Sequence, residues 1–229
     1  MAVFVLRRGN DSVIYNKNFA NNSWEAIIAA CQSGNVPDSW AVGDSKMMAI
    51  NGTDYQIDII GKNHDTYTAG GTAPLTFQMH DCYDTKYQMN NNSFNSGGWT
   101  SCAMRNTHLP AILALMPTEI QNGIRAVNKL TSAGSKSDAI NTTADKLFLL
   151  SEIEIFGSVR YSKSGEGTQY DYYKAGNSKV KKYNGSAADW FDRSPYASSS
   201  NHFCSVGGVG NANYEFASNS RGVAFGFCF

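Results

Sequence analysis

Apolar residues near the start of the chain recur with the spacing of an amphipathic helix. Four of them share one helical face: Trp24, Ile27, Ile28 and Cys31. Asn22, followed three residues later by Glu25, suggests a cap at the start of this helix, and Gly34 supplies a stop. We therefore expect residues 1–38 to form a small helical lead-in.

The next stretch, from Trp40 to about Met89, has the pattern of β-strands. Residues 46–50 and 55–60 flank Asn51-Gly52, a pair that favours a type I′ hairpin because both positions tolerate positive φ. Residues 75–79 form a further strand candidate. Residues 90–98 are polar and rich in turn formers, which predicts a loop.

Helical signals return after this loop. Pro110 suits the first turn of a helix, and a second helix is predicted from Thr118, with Gln121 completing a capping box. The inner face of that second helix is predicted to hold four residues: Ile120, Ile124, Val127 and Leu130.

A buried strand is then expected at residues 146–150. Ser151 and Glu154 form another capping box, which favours a short helical turn at residues 152–156. The alternation of Ile153 and Ile155 with glutamates also fits a strand, so both interpretations stay open.

The end of the chain combines an apolar strand pattern with an unusual polar segment. Residues 222–229 alternate small and large apolar side chains, as in a strand with one buried face. Half of residues 196–221 are Ser, Gly or Asn, with aromatic residues spaced among them, a mixture typical of antibody combining sites. A flexible linker has a similar composition, but the strand pattern that follows favours a loop pinned at both ends.

Composition limits the classes of partner. The 229 residues are 42% hydrophobic and carry a net charge of zero, which argues against a nucleic acid backbone or an anionic membrane as a partner. We interpret the basic cluster of residues 174–182 as a solvated surface turn. No apolar run has the length of a membrane-spanning helix, and residues 1–8 place their positive charges after the apolar stretch, the reverse of a secretory signal.

The sequence offers few groups for catalysis or metal binding. His64-Asp65 and His80-Asp81 are two imidazole–carboxylate pairs, but adjacent residues on a strand point to opposite faces, so we favour structural hydrogen bonding. His108 is interpreted as a capping or surface group. The carboxylates of Glu152 and Glu154 are interpreted as helix-start charges. No cofactor or metal is predicted.

Five cysteines without a recognisable export signal favour reduced, buried thiols. A bridge between Cys204 and Cys228 across the C-terminal segment is the alternative. None of the cysteines has the C-x-x-C spacing of a zinc knuckle.

Three stretches of the chain carry a family resemblance: residues 97–105 (GGWTSCAMR), 145–157 (DKLFLLSEIEIFG) and 189–195 (DWFDRSP) with the polar segment and residues 222–227 after it. Together they resemble a domain of uncharacterised function that is common in proteins of Gram-positive gut bacteria and their phages. Residues 59–65 fit as well, so the resemblance covers about residues 40–229. The later stretches also resemble a divergent C-type-lectin-like fold. The implied architecture is a single α+β domain over residues 1–229, with short helices packed on small antiparallel sheets and a C-terminal display region at residues 190–229.

The polar tail further resembles the variable proteins of diversity-generating retroelements, in which a reverse transcriptase introduces errors at template adenines and exchanges exposed side chains within a fixed frame. The resemblance implies these frame residues: Trp190, Arg193, Ser194, Pro195, Phe203, Cys204, Val223 and Phe225. It implies these exchangeable, ligand-binding positions: Tyr196, Ser198, Ser199, His202, Ser205, Gly208, Asn211, Asn213, Tyr214 and Phe216. Phe191, Asp192 and Glu215 depart from the family's usual pattern.

The function implied is non-enzymatic recognition of a host-surface or protein ligand through the hypervariable surface at residues 196–221. The protein would then belong to a phage virion or a bacterial cell surface, and it could act as a homo-oligomer. One alternative is an enzyme that depends on a metal or cysteine, because some lectin-like enzymes place two cysteines around copper, as Cys204 and Cys228 could do. The other is a structural virion or surface subunit.

Overall fold

The computed structural model describes residues 14–229. Residues 1–8, on which the prediction about a secretory signal rests, lie outside this range, as does the first part of the 1–38 lead-in. Among the described residues, no helix is both long enough and apolar enough to span a bilayer.

The helices are short and are spread along the chain. A single 3-10 turn at Phe19–Asn21 comes first, and a π-helix occupies Met104–His108. The α-helices are α1 (Trp24–Ser33), α2 (Gly98–Ser101), α3 (Leu109–Ala114), α4 (Thr118–Gly123), α5 (Glu152–Phe156) and α6 (Asp171–Lys174).

Twelve strands are present in the described residues, and they form four small antiparallel sheets. They are β1 (Ser45–Ile50), β2 (Thr53–Lys62), β3 (Leu75–Met79), β4 (Val127–Ser132), β5 (Ile140–Asp145), β6 (Leu147–Phe148), β7 (Lys181–Tyr183), β8 (Ser186–Ala188), β9 (Trp190–Pro195), β10 (His202–Val206), β11 (Ala212–Phe216) and β12 (Gly226–Cys228). The sheet orders are β1-β2-β3-β12-β6, β11-β10-β9, β4-β5 and β7-β8. The predicted α+β class, with short helices and small antiparallel sheets, is confirmed.

Local sequence signals identify the N-terminal elements well. The β1–β2 hairpin turns at Asn51-Gly52, whose φ angles are 51° and 81°, as a type I′ turn requires. Helix α1 ends at Gly34 in the left-handed conformation, as predicted. Its cap is Ser23 rather than Asn22, because the Ser23 hydroxyl accepts the Ala26 N–H while Asn22 bonds to the preceding turn.

The predicted second helix is too long by about two turns. Helix α4 ends at Gly123, and Val127 and Leu130 belong to strand β4, where Leu130 faces solvent. The strand pattern was hidden because its inward positions include Lys129, a charged residue that is buried. The predicted capping box is also absent, since Gln121 instead donates to the carbonyl oxygens of Ala114 and Met116.

The chain after residue 146 mixes confirmed and corrected elements. Only Leu147–Phe148 of the predicted 146–150 strand is paired. The helical interpretation of residues 152–156 is confirmed, with both hydrogen bonds of the capping box between Ser151 and Glu154 formed.

The C-terminal segment lies deeper in the fold than expected. Strand β12 pairs with β3 on one side and β6 on the other, and residues 222–229 are all buried. A central strand covered on both faces, rather than one with a single buried face, therefore closes the chain. Phe227 and Phe229 each lie 5.3 Å from Phe77, measured between ring centroids.

All five cysteines are free and buried. The interpretation of reduced thiols agrees with this arrangement, whereas the alternative bridge between Cys204 and Cys228 is wrong. Burial raises the pKa of both thiols well above the usual range.

Candidate ligand-binding surface

Residues 196–221 contain two strands, β10 and β11, with turns before, between and after them. Strands β9, β10 and β11 form a three-stranded antiparallel sheet, which we call the display sheet, with β10 in the middle. The register pairs His202 with Phe216 and Cys204 with Tyr214. The earlier expectation of a pinned loop is corrected in part by this pairing, since ladder hydrogen bonds hold the backbone along β10 and β11, while turns precede, join and follow these strands.

Aromatic side chains gather at one end of the display sheet. The rings of Tyr196 and Tyr214 stack with centroids 4.6 Å apart, and those of His202 and Phe216 lie 4.1 Å apart. Tyr214 and Phe216 are 39% and 44% exposed, and both rings contact the ring of His202. Tyr161 completes the group with an edge contact to Tyr214 at 5.0 Å. We call these five residues the aromatic face.

Tyr161 was missed by the sequence interpretation because it comes from a different segment, just after helix α5. Glu152 explains how it is positioned. The buried Glu152 carboxylate accepts hydrogen bonds from the backbone N–H groups of Arg160, Tyr161 and Ser162. Glu152 is therefore an anchor for this loop, and its interpretation as a helix-start charge alone was incomplete.

The polar exchangeable positions surround the aromatic face with different degrees of exposure. Ser198 and Asn211 are exposed, and Asn213 is half-buried. The half-buried Ser199 shares a 2.7 Å hydrogen bond with Nδ1 of His202. Burial lowers the pKa of His202, which favours the neutral imidazole.

Gly208 lies in the turn between β10 and β11 and has room for a side chain. A Cβ added there would come no closer than 3.6 Å to another atom, whereas one at Gly207 would lie 2.4 Å from Oδ1 of Asn211. A side chain at Gly208 therefore fits without rearrangement, whereas one at Gly207 requires the Asn211 amide to move. Val209, the next residue of this turn, is 85% exposed. It was not predicted from the sequence to be a ligand-binding position.

Ser205 does not belong to the surface. It is only 1% exposed, in the middle strand β10, and pairs with Asn213 on one side and Phe191 on the other. Beyond His202 both faces of β10 are covered, so alternate positions are equally buried. The prediction that Ser205 is an exposed, exchangeable position is wrong.

The predicted frame residues are all buried. Arg193 needs a charged partner, because its guanidinium is fully buried. It bonds to the Glu154 carboxylate at 2.5 and 2.9 Å. Lys129 lies 2.9 Å from Glu154 and 2.7 Å from Asp65. Although burial disfavours its charge, Arg193 and Lys129 hold the pKa of Glu154 below its ordinary value. Glu154 is thus both the capping-box residue in the first turn of α5 and the centre of a buried ion network that supports the display sheet.

Glu215 departs from the exchangeable pattern, and its contacts give a reason. Its carboxylate pairs with Arg221 and accepts a 2.7 Å hydrogen bond from the Asn219 amide. Partial burial disfavours its charge, but the Phe216 N–H, Asn219 and Arg221 hold its pKa below the usual value. Glu215 therefore stabilises the turn after β11.

The histidines make structural contacts. His64 stacks on Tyr170 at 4.0 Å, while the Asp65 carboxylate accepts bonds from Lys129, Thr76 and Tyr170. His80 bonds to Asp58 at 2.7 Å. His108 makes no capping bond and stacks on Tyr87. Within residues 14–229, no group of three or more metal-ligating side chains comes together.

Two other chemical interpretations are affected by burial. Lys181 of the predicted solvated basic cluster is buried, with its ammonium donating to the carbonyl oxygens of Met79 and His80, so that interpretation is wrong for this residue. Its desolvation lowers its pKa to about 8. Cys204 and Cys228 are fully buried and give a cysteine-dependent reaction no accessible thiolate.

Comparison with known proteins identifies a family but no individual relative. No curated protein and no solved structure matches the chain. Residues 74–228 match a family model described as Domain of unknown function (DUF6273). This range contains the whole display sheet and Tyr161, and it spans more than half of the 229 residues. The chain therefore belongs to the DUF6273 family.

Proposed function

We propose that this protein is a non-enzymatic recognition protein whose aromatic face binds a host-surface or protein ligand. The exposed aromatic face on a rigid sheet carries the proposal. Rings with few rotatable bonds supply contact area at little entropic cost, and the neighbouring serine and asparagine side chains supply adaptable hydrogen bonds.

The burial pattern supports a division between frame and exchangeable positions. All the frame residues are buried, whereas most of the exchangeable positions keep some exposure. Side chains on the outside can then change without removing core contacts, so that ligand choice varies while the fold is kept.

We further propose a C-type-lectin-like architecture and diversification by a retroelement, with display on a phage virion or a bacterial cell surface. Gly208, which has room for a side chain, fits an exchangeable position. Substitutions at the adenines of an Asn codon alone do not produce Glu215. Its contacts to Arg221 and Asn219 fit a fixed frame residue instead.

The binding proposal is tested with labelled protein on intact Gram-positive gut bacteria. A Tyr214→Ala/Phe216→Ala variant is expected to weaken binding to a recognised isolate by about thirtyfold or more, as for the loss of an interface hot spot of about 2 kcal/mol. Leu115→Ala is a matched control, since Leu115 is as exposed as Phe216, at 44%, and lies outside the aromatic face.

Wild-type affinity in the double variant would contradict the proposal, as would a failure of the wild type to bind any isolate. A structural subunit would instead assemble through this face. The wild type would then be an oligomer in solution, and the double variant would have a lower solution mass. The gene's surroundings test diversification separately. The proposal predicts a near-copy of the 3′ end that differs mainly at adenines, beside a reverse transcriptase gene.

A further inference from the structure

A second concave site lies beside the display sheet and does not depend on the proposed function. It is a groove of about 590 Å³ between the 90–98 loop and the π-helix Met104–His108. Its size falls within the roughly 300–1,000 Å³ range of small-molecule sites. The residues that line it include Asn91, Asn92, Phe94, Ser96, Asn106 and Thr107.

The groove is unusual in its chemistry. None of the described residues that line it carries a formal charge, and most of them present amide or hydroxyl groups. Amides both donate and accept hydrogen bonds, so such a lining matches a ligand with many neutral hydroxyl groups. Phe94 is 56% exposed and supplies a large apolar side chain among these polar groups.

Internal hydrogen bonds hold the walls of the groove in place. The Asn90 side chain donates to the Phe94 carbonyl oxygen at 2.6 Å and accepts the Ala103 N–H at 3.0 Å, which joins the loop to the start of the π-helix. Asn106 donates to the carbonyl oxygens of Thr100 and Cys102, both at 3.0 Å. A preformed site loses less entropy when a ligand binds.

Some polar groups in the groove are left free. Asn91 accepts a bond from Gln88 and Asn92 accepts the Phe94 N–H, both through Oδ1. Across residues 14–229, the Nδ2 groups of these two asparagines donate no hydrogen bond. Both residues are exposed and line the groove, so these amide groups can donate to a ligand. The π-helix is a second feature of the groove, and π-helices are frequent at functional sites.

We infer that this groove binds a neutral carbohydrate. Sugar hydroxyls complement the asparagine, serine and threonine groups, and the apolar C–H face of a sugar ring can pack on the ring of Phe94. A peptide is less well matched, because peptide recognition relies on apolar pockets for anchoring side chains, and Phe94 is the only large apolar side chain among the described residues that line the groove. An anionic ligand would meet no cation there.

The inference is tested by calorimetric titration of the whole protein with a panel of neutral oligosaccharides of glucose, galactose, mannose or N-acetylglucosamine. At least one should bind, and Phe94→Ala should weaken that binding by about tenfold or more. Asn91→Ala should also weaken it. Leu115→Ala, an exposed position outside both the groove and the aromatic face, is the control and should leave the affinity unchanged.

A neutral, hydrophilic peptide and a glycerol phosphate polymer are titrated in parallel. Absence of binding by every oligosaccharide at about 10 mM would overturn the inference. So would carbohydrate binding that persists in Phe94→Ala, or binding of the peptide or the anionic polymer alone. Native circular dichroism of each variant ensures that a lost affinity reflects the groove rather than unfolding.

Discussion

Asp192 is a fully buried carboxylic acid in strand β9, which pairs with the display sheet's middle strand β10. One of its oxygens accepts the Ser194 N–H at 2.8 Å, and the other has no partner among the described residues. Burial raises its pKa well above the usual value, and the nearby carboxylates of Glu152 and Glu166 raise it further. The protonated form is therefore favoured in the folded protein.

This environment predicts how stability changes with pH. Because the folded pKa is raised, the contribution of Asp192 is fully present below the unfolded pKa of about 4 and is lost as the pH rises toward the folded pKa. Asp192→Asn removes this ionisation. The free energy of unfolding of the variant minus that of the wild type should therefore increase with pH, by about 1 kcal/mol or more between pH 5 and pH 8.

Urea unfolding of Asp192→Asn and wild type between pH 5 and pH 8 provides the measurement. Gln32→Ala, a change of an exposed side chain in helix α1, serves as the control and should give a difference that does not vary with pH, because neither side chain ionises. Parallel stability curves for wild type and Asp192→Asn would contradict the account.

Single residues also mark where sequence reasoning works and where it does not. Asn51-Gly52 and the Ser151–Glu154 capping box act through bonds within a few residues, so their patterns could be interpreted locally. Lys129 and Ser205 are buried by partners from distant segments, and their residue types favour the surface. Such burial cannot be deduced from spacing alone.

At the level of elements, the 90–98 loop supports the display sheet. The buried Asn95 amide donates to the carbonyl oxygens of Ser199 and His202 at 2.8 and 2.7 Å and accepts the Ser135 N–H at 2.8 Å. Its backbone N–H donates to the Ser200 carbonyl oxygen. One side chain thus fixes the chain between β9 and β10, where two exchangeable serines lie.

Asn95→Leu should therefore lower the free energy of unfolding by about 3 kcal/mol or more, because it leaves several buried polar groups unpaired. Urea unfolding measures the loss, and hydrogen exchange should show faster exchange at residues 199–202. Asn91→Ala, in the exposed part of the same loop, is the control and should change stability by less than about 0.5 kcal/mol. An unchanged midpoint for Asn95→Leu would contradict this role.

Pairings between elements far apart in the chain were the least predictable part of the fold. Strand β12 joins β3 and β6 across long separations, and β4 pairs with β5 where a helix was expected. The aromatic face could be predicted at four of its five residues, because they share one segment. Tyr161 is positioned by the hydrogen bond from its backbone N–H to the Glu152 carboxylate, which no local sequence pattern indicates.

At the scale of the whole molecule, a buried ion network links the display sheet to the rest of the fold. Arg193 of β9 meets Glu154 of α5, and Lys129 of β4 joins Glu154 to Asp65. Burial disfavours the charge of Asp65, yet Lys129 holds its pKa at about 2. Breaking such a network by removing one partner is costly, whereas the aromatic face takes no part in it. Stability and ligand contact therefore depend on different residues.

The most direct test of this separation is a scan of residues 190–225 in which each position is replaced in turn and folding is measured by protease resistance. The account predicts that six exposed or half-buried positions tolerate most replacements: Tyr196, Ser198, Asn211, Asn213, Tyr214 and Phe216. It predicts loss of folding at five buried positions: Arg193, Phe203, Cys204, Ser205 and Val223. Equal sensitivity of the two groups would contradict it.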